Sequence, residues 1–244
     1  MQRHISNTFF SLRSLFSGFH YVGKNSWTWK FIIGAIIVNI IVFGLVFYFI
    51  FLEFNSGVES LVELARLDLS TVVGSIVKVL LGILSFVIST FLFINISNII
   101  NAPIYGQLAE DYIVKNSTIR IRQFTVFEEI TRSIGFEFKK VILMILLFII
   151  SLLLNLIPVV GSVLFVIFGF FQLIVFAGLD LFDPYLAKLN LSFRGKLKYI
   201  IKNPPKYYPF LFLAGFILTL PVINIFVFPF FVISGLRLVL ASDS

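Results

Sequence analysis

Few side chains in this sequence are equipped for chemistry, and their types narrow what that chemistry is. There is no cysteine, which excludes thiolate ligands, disulfides and cysteine nucleophiles. The two histidines, His4 and His20, are too few and too near the N-terminus for a histidine-based metal site, so neither a metal nor another cofactor is expected. The apolar runs hold no Ser/His pair and no paired carboxylates, and no nucleotide-binding loop is present, so the chain does not read as an enzyme or an ATP-driven pump. What remains are isolated charges beside long uncharged runs. Glu110, Glu137 and Lys140, with Arg132, suit either an ion-pair network or a solvated helix surface. Asp180 ends a long apolar run, as a buried acid or, the preferred reading, an interfacial one. Residues 188–206 read as a basic loop in which Lys188, Arg194, Lys196, Lys198, Lys202 and Lys206 alternate with tyrosines. That pattern suits anionic lipid headgroups, without nucleic acid.

The setting of these charges dictates the fold class. Of 244 residues, 59% are hydrophobic and 13% charged, with 32 Phe, and the mean hydropathy is +1.04. A soluble domain carries about 45–50% apolar and about 25% charged residues. The chain is therefore read as an all-α, polytopic integral membrane protein of one domain, 1–244, with the lipid bilayer as its first partner. Charge-free stretches cover residues 31–52, 79–109, 141–179 and 207–236. A spanning helix needs about 20 apolar residues at about 1.5 Å each. Residues 31–52 and about 71–103 are thus expected as two long transmembrane helices.

The other two stretches are interrupted, one by Pro158 and Gly161, the other by Pro221 and Asn224. Proline lacks the N–H that the helix ladder needs, and its ring crowds the preceding turn. The arms 210–220 and 222–234 count 11 and 13 residues, too short to cross. Residues 207–236 therefore read as a re-entrant hairpin. Residues 141–179, with longer arms, are read the same way, two tight spans being the alternative. The helices that begin after Pro158 and Pro221 would turn their positive ends toward the hairpin tips, where an anion path could form.

Charge bias orients the chain. Residues 1–30 carry Arg3, Arg13, Lys24 and Lys30 with no acid, and 181–209 carry six cations against Asp183. The loop expected at 53–70 holds Glu53, Glu59, Glu63 and Asp68 against Arg66. The positive-inside rule then places both termini and the basic loops in the cytoplasm and the acidic loop outside. Within residues 1–22, the spacing of Ile5, Phe9, Leu12, Phe16 and Phe19 predicts an amphipathic helix lying in the interface. Residues 105–140 mix six basic and five acidic side chains and read as a water-facing cytoplasmic helical region. Asn39 in mid-span, with Asn155, Gln172 and Asn224 near the turns, is expected to hydrogen-bond between helices.

Asn98, Pro103, Gly106 and Glu110 follow one another at intervals of five, three and four residues. This resembles the signature of the CysZ-like sulfate permeases, of the etoposide-induced-protein superfamily. Phe31 and Asn39 in the first span resemble it too, as do Glu137 and Lys140 followed by Pro158 and Gly161, and Pro221, Asn224 and Pro229. The resemblance covers roughly residues 15–240. It implies an inner-membrane homo-oligomer with two long transmembrane helices and two partially inserted hairpins, taking up sulfate for cysteine biosynthesis. It also implies that the inorganic anion is held just before the first span, here at Ser26, Trp27, Thr28, Trp29 and Lys30. Where the family carries two arginines, this segment keeps one cation, Lys30, without arginine's bidentate fork. A non-transporting scaffold or lipid-interacting protein of the same superfamily is the alternative function.

Overall fold

The computed structural model describes residues 10–65, 72–202 and 204–243. Among these the regular structure is helical: α1 (Ser17–Lys24), α2 (Trp29–Ala65), α3 (Val72–Asn116), α4 (Val126–Asn155), α5 (Gly161–Lys188), α6 (Phe193–Lys202), α7 (Pro204–Leu218) and α8 (Pro221–Asp243), with a 3-10 turn at Ser26–Thr28. Among the described residues, four segments are long and apolar enough to cross a membrane: Ser26–Phe54, Ser75–Asn116, Gly161–Lys188 and Pro221–Ala241. The chain is a multi-pass, all-α membrane protein.

Two compact units divide it, one of residues up to 36 together with 98–244, the other of residues 37–97. In the smaller unit the two helix segments meet through Phe43 and Phe93, with ring centroids 5.4 Å apart, and Phe47 and Phe86, at 5.8 Å. Ile40, Ile41, Leu45, Val79, Leu80, Ile83 and Leu84 face outward, an apolar surface that only lipid solvates cheaply.

Helix lengths depart from the expected segments in three places. Helix α2 runs on through residues 53–65, where an acidic loop was expected, because no proline stops it there. Helix α3 continues past residue 103, carrying Pro103 inside it, and one face of its last turns is buried: Tyr105, Leu108, Ala109, Tyr112 and Ile113 lie in the core, while Gln107, Val114, Lys115 and Asn116 are exposed. Within the region expected to be helical, residues 117–125 are not, and the helix resumes at Val126. Helix α8 has 23 residues, since Gly235 and Arg237 do not end it. At 1.5 Å per residue it spans about 34 Å, so the short-arm argument applies to the 15-residue α7 alone. Ile5, Phe9 and Asp68 lie outside the described residues.

The two proline turns are built differently. Between α4 and α5 the left-handed residue is Val159, with φ 68°, an unfavourable setting for a β-branched side chain. Gly161 is needed instead for close approach: a Cβ there would lie 2.7 Å from the Leu154 carbonyl oxygen and 2.8 Å from that of Asn155. Between α7 and α8, Pro221 opens the new helix, while Asn224 Nδ2 donates to the Leu218 carbonyl at 2.9 Å and caps the old one. In the first helix pair Gln172 Nε2 donates to Ser151 Oγ at 2.6 Å, joining α5 to α4.

Helix α5 packs against α4, α6, α7 and α8. Helix α1 docks on α8 through small polar groups. Gly18 N–H donates to Ser234 Oγ at 2.9 Å, which in turn donates to the Leu15 carbonyl at 2.9 Å. Ser11, Ser14, Leu15, Gly18 and Val22 are thereby buried, leaving Phe10 and Phe16 exposed.

Candidate functional site

A capping box starts α4: the Thr125 hydroxyl accepts from Glu128 N–H, and the Glu128 carboxylate accepts from Thr125 N–H at 2.7 Å. Those bonds hold the Glu128 carboxyl below its usual range. From this start, Glu129, Ser133, Phe136, Glu137 and Lys140 recur at helical spacing and form one buried stripe. The stripe faces α3 and α5, and its charges find partners there.

Lys140 is buried between two carboxylates. It pairs with Glu137 on its own helix and with Asp180 of α5, Nζ to Oδ1 2.6 Å. Asn98 of α3 donates to the same Asp180 oxygen at 3.2 Å. About two turns earlier in α4, Arg132 bridges Glu129 at 3.0 Å and Asp183 at 2.9 Å, and Lys196 of α6 also pairs with Asp183. Lys188, at the end of α5, joins Glu129 and Glu110, each at 3.1 Å. Helices α3, α4, α5 and α6 are thus tied by Asn98 and nine charges, four positive and five negative. Gly106 belongs to this assembly by what it lacks, since a Cβ there would lie 2.8 Å from the Glu129 carboxyl carbon.

Burial pushes the Glu137 carboxyl up to about 7, against the opposing pull of the Lys140 ammonium. Burial likewise lowers Lys196, with Asp183 opposing it. Beside Glu137, Asp180 and Asp183 lies a void of only about 20 Å³, room for about one water. The acids are therefore packed and paired rather than lining a conduit. Among the described residues, no three His, Asp or Glu side chains are arranged as metal ligands.

At its Lys188 end the network borders a cavity of about 310 Å³ lined by Lys30, Pro103, Gln107, Glu110, Glu129 and Lys188, among others. Its two cations and two carboxylates balance. Lys188 is engaged by both acids, whereas Lys30 is exposed, with its ammonium over the Phe31 ring at 4.6 Å and no carboxylate partner among the described residues.

The structure distributes the sequence-expected site residues unevenly. Of Ser26, Trp27, Thr28, Trp29 and Lys30, Lys30 alone lines this cavity. Thr28 is buried and donates to the Asn25 carbonyl at 2.7 Å. Trp27 stacks under the Lys115 ammonium at 3.6 Å, and Trp29 meets Phe230 edge-on. Asn98, Glu110, Glu137 and Lys140 enter the network, Pro103 and Gly106 shape its border, and Pro158, Gly161, Pro221 and Asn224 build the turns. Asn39 is buried in the smaller unit.

Two expectations are corrected. Asp180 is not an interfacial acid but the partner of a buried lysine. Residues 193–202 form a helix rather than a basic loop, and Lys188 and Lys196 are buried in ion pairs, leaving Arg194, Lys198 and Lys202 exposed. Glu129 was missed altogether, and Asp183 entered only the charge bias and not the site. The repeat of Glu129-x-x-Arg132 eight residues before Glu137-x-x-Lys140 was the available signal for the first, because eight residues return a helix to the same face.

Residues 14–229 match the family described as sulfate transporter CysZ/etoposide-induced protein 2.4. No curated protein matches the chain.

Proposed function

The chain belongs to the CysZ/etoposide-induced protein 2.4 family of membrane proteins, and from that premise we propose that it is a sulfate or related oxyanion transporter or channel. It would lie in a bacterial inner membrane, with both termini cytoplasmic, as a homo-oligomer supplying sulfate for cysteine biosynthesis. The stretches 141–179 and 207–236 enter the bilayer from the cytoplasmic side as hairpins, beside spans at 31–52 and about 71–103.

One observation carries this reading beyond the family: Lys30, in the segment that the resemblance assigns to sulfate, stands at a 310 Å³ cavity whose two carboxylates, Glu110 and Glu129, are both paired with Lys188, and it has no ion-pair partner of its own among the described residues. A dianion leaving water loses a large solvation energy, so its route needs positive charge that is not already consumed by acids. Lysine supplies this as a point charge, with less geometric selectivity than an arginine fork. A broad preference among tetrahedral oxyanions follows. Entry against 100 mV, inside negative, opposes a dianion by about 4.6 kcal/mol, so net uptake depends on consumption inside or on co-moving protons.

The test is influx of labelled sulfate into proteoliposomes. Uptake above empty vesicles, competed by other tetrahedral oxyanions, is expected. Folded protein that gives no uptake overturns the proposal. In that event the second reading, a non-transporting lipid-organising protein, is favoured by the closed, self-neutralised network.

A further inference from the structure

An open basin of about 1140 Å³ lies where residues 10–20, the end of α3 with residues 117–119, and the end of α8 converge. Its described charged lining is positive: Arg13 comes from the N-terminal segment and Arg237 from α8, His20 of α1 lies beside them, and no Asp or Glu is among the described lining residues. Neither arginine has a carboxylate partner among the described residues. Arg237 instead lies over the Tyr21 ring at 5.1 Å, a contact that holds its side chain in place. Ser17, Asn116, Ser117 and Thr118 add neutral hydrogen-bonding groups to the wall, and the buried Ser17 hydroxyl has no partner among the described residues. At the rim, Phe10 and Phe16 are 52% and 68% exposed.

We propose that this basin is a binding site for a phosphate-type tetrahedral oxyanion, carried by an anionic phospholipid headgroup or present as the free inorganic ion. Two guanidinium groups with hydroxyl and amide neighbours match the donor needs of such a group. Acids neutralise the buried cations of the network, but here nothing in the described wall does, so the guanidinium donors are open to a ligand. The exposed phenylalanines and the size of the basin favour the lipid source: glycerol and acyl chains can use an apolar rim, and a bare ion cannot. The site does not rest on the transport reading, because binding is expected whether or not the chain conducts sulfate.

The experiment compares the wild-type chain with Arg13→Gln/Arg237→Gln and with a control of equal charge loss elsewhere, Lys24→Gln/Lys198→Gln. One arm measures retention of phosphatidylglycerol against phosphatidylcholine by native mass spectrometry from neutral detergent. The other measures the thermal shift with inorganic phosphate and sulfate. Phosphatidylglycerol held by wild type and control, and about thirtyfold more weakly by the arginine variant, supports the lipid source. Stabilisation by inorganic phosphate that the arginine variant loses supports the free ion. Arg13 is exposed, so Arg13→Glu serves as the readout if the double variant fails to fold. The proposal is overturned if neither ligand distinguishes the arginine variants from wild type, or if the control loses binding equally.

Discussion

In the network across α3, α4, α5 and α6, four cations meet five carboxylates, whereas the basin between the N-terminal segment and the end of α8 gathers Arg13, His20 and Arg237 with no described carboxylate. Both belong to the same compact unit. Buried charges lose solvation on folding, and a paired network recovers it only while every member stays in place. Such a network is suited to holding four helices in register and poorly suited to releasing a cation to a passing anion. Cations left without acids are the ones available to ligands. The signature residues Gly106, Glu110, Glu137 and Lys140 serve the first purpose. Lys30 and the basin arginines are the cations proposed for the second.

Breaking the network gives the largest expected effect. Lys140→Met leaves Glu137 and Asp180 buried without their cation and costs about 3–5 kcal/mol, seen as a fall in Tm in detergent or failure to accumulate. Adding Glu137→Gln and Asp180→Asn to the same chain is expected to recover most of it. A Lys140→Met protein as stable as wild type would remove the contrast between the two regions. Gly106→Ala comes next. Helix propensity alone favours alanine by about 1 kcal/mol, but the added Cβ displaces the Glu129 carboxylate, so a net loss of about 1–3 kcal/mol is expected. A gain in Tm would mean that Glu129 yields at no cost.

The pH response sharpens the same point. Burial raises the Glu137 pKa from 4.5 to about 7, so the folded chain holds a proton there that the unfolded chain releases. That contribution is fully present below pH 4.5 and is lost as pH rises through about 7. The Tm of wild type is expected to fall across this window relative to that of Glu137→Gln, and parallel curves would contradict it. The smallest effect belongs to Arg122→Gln. The Arg122–Glu128 pair, at 3.9 Å, is about half exposed on both sides, so its loss stays within about 0.5 kcal/mol.

The sequence made some of this legible and hid the rest for identifiable reasons. Uncharged runs and prolines revealed the membrane class and both turns, because those depend on local properties. Glu137 and Lys140 were legible as a pair because three residues place them on one helix face. Arg132–Asp183 and Lys188–Glu110 span 51 and 78 residues, distances over which no spacing rule operates. Lys188 and Lys196 therefore looked like surface lysines in a basic loop until tertiary packing supplied Asp183 and Glu129. The left-handed Val159 was hidden for another reason: nothing in a β-branched side chain signals positive φ, and Gly161 beside it serves close packing.

Whether unpaired charge is what handles anions is tested most directly by sulfate influx into proteoliposomes containing Lys30→Gln, beside wild type reconstituted at equal density. With Tm unchanged, influx in the variant should fall most of the way to the level of empty vesicles. Influx equal to wild type would contradict the division of labour between paired and unpaired cations.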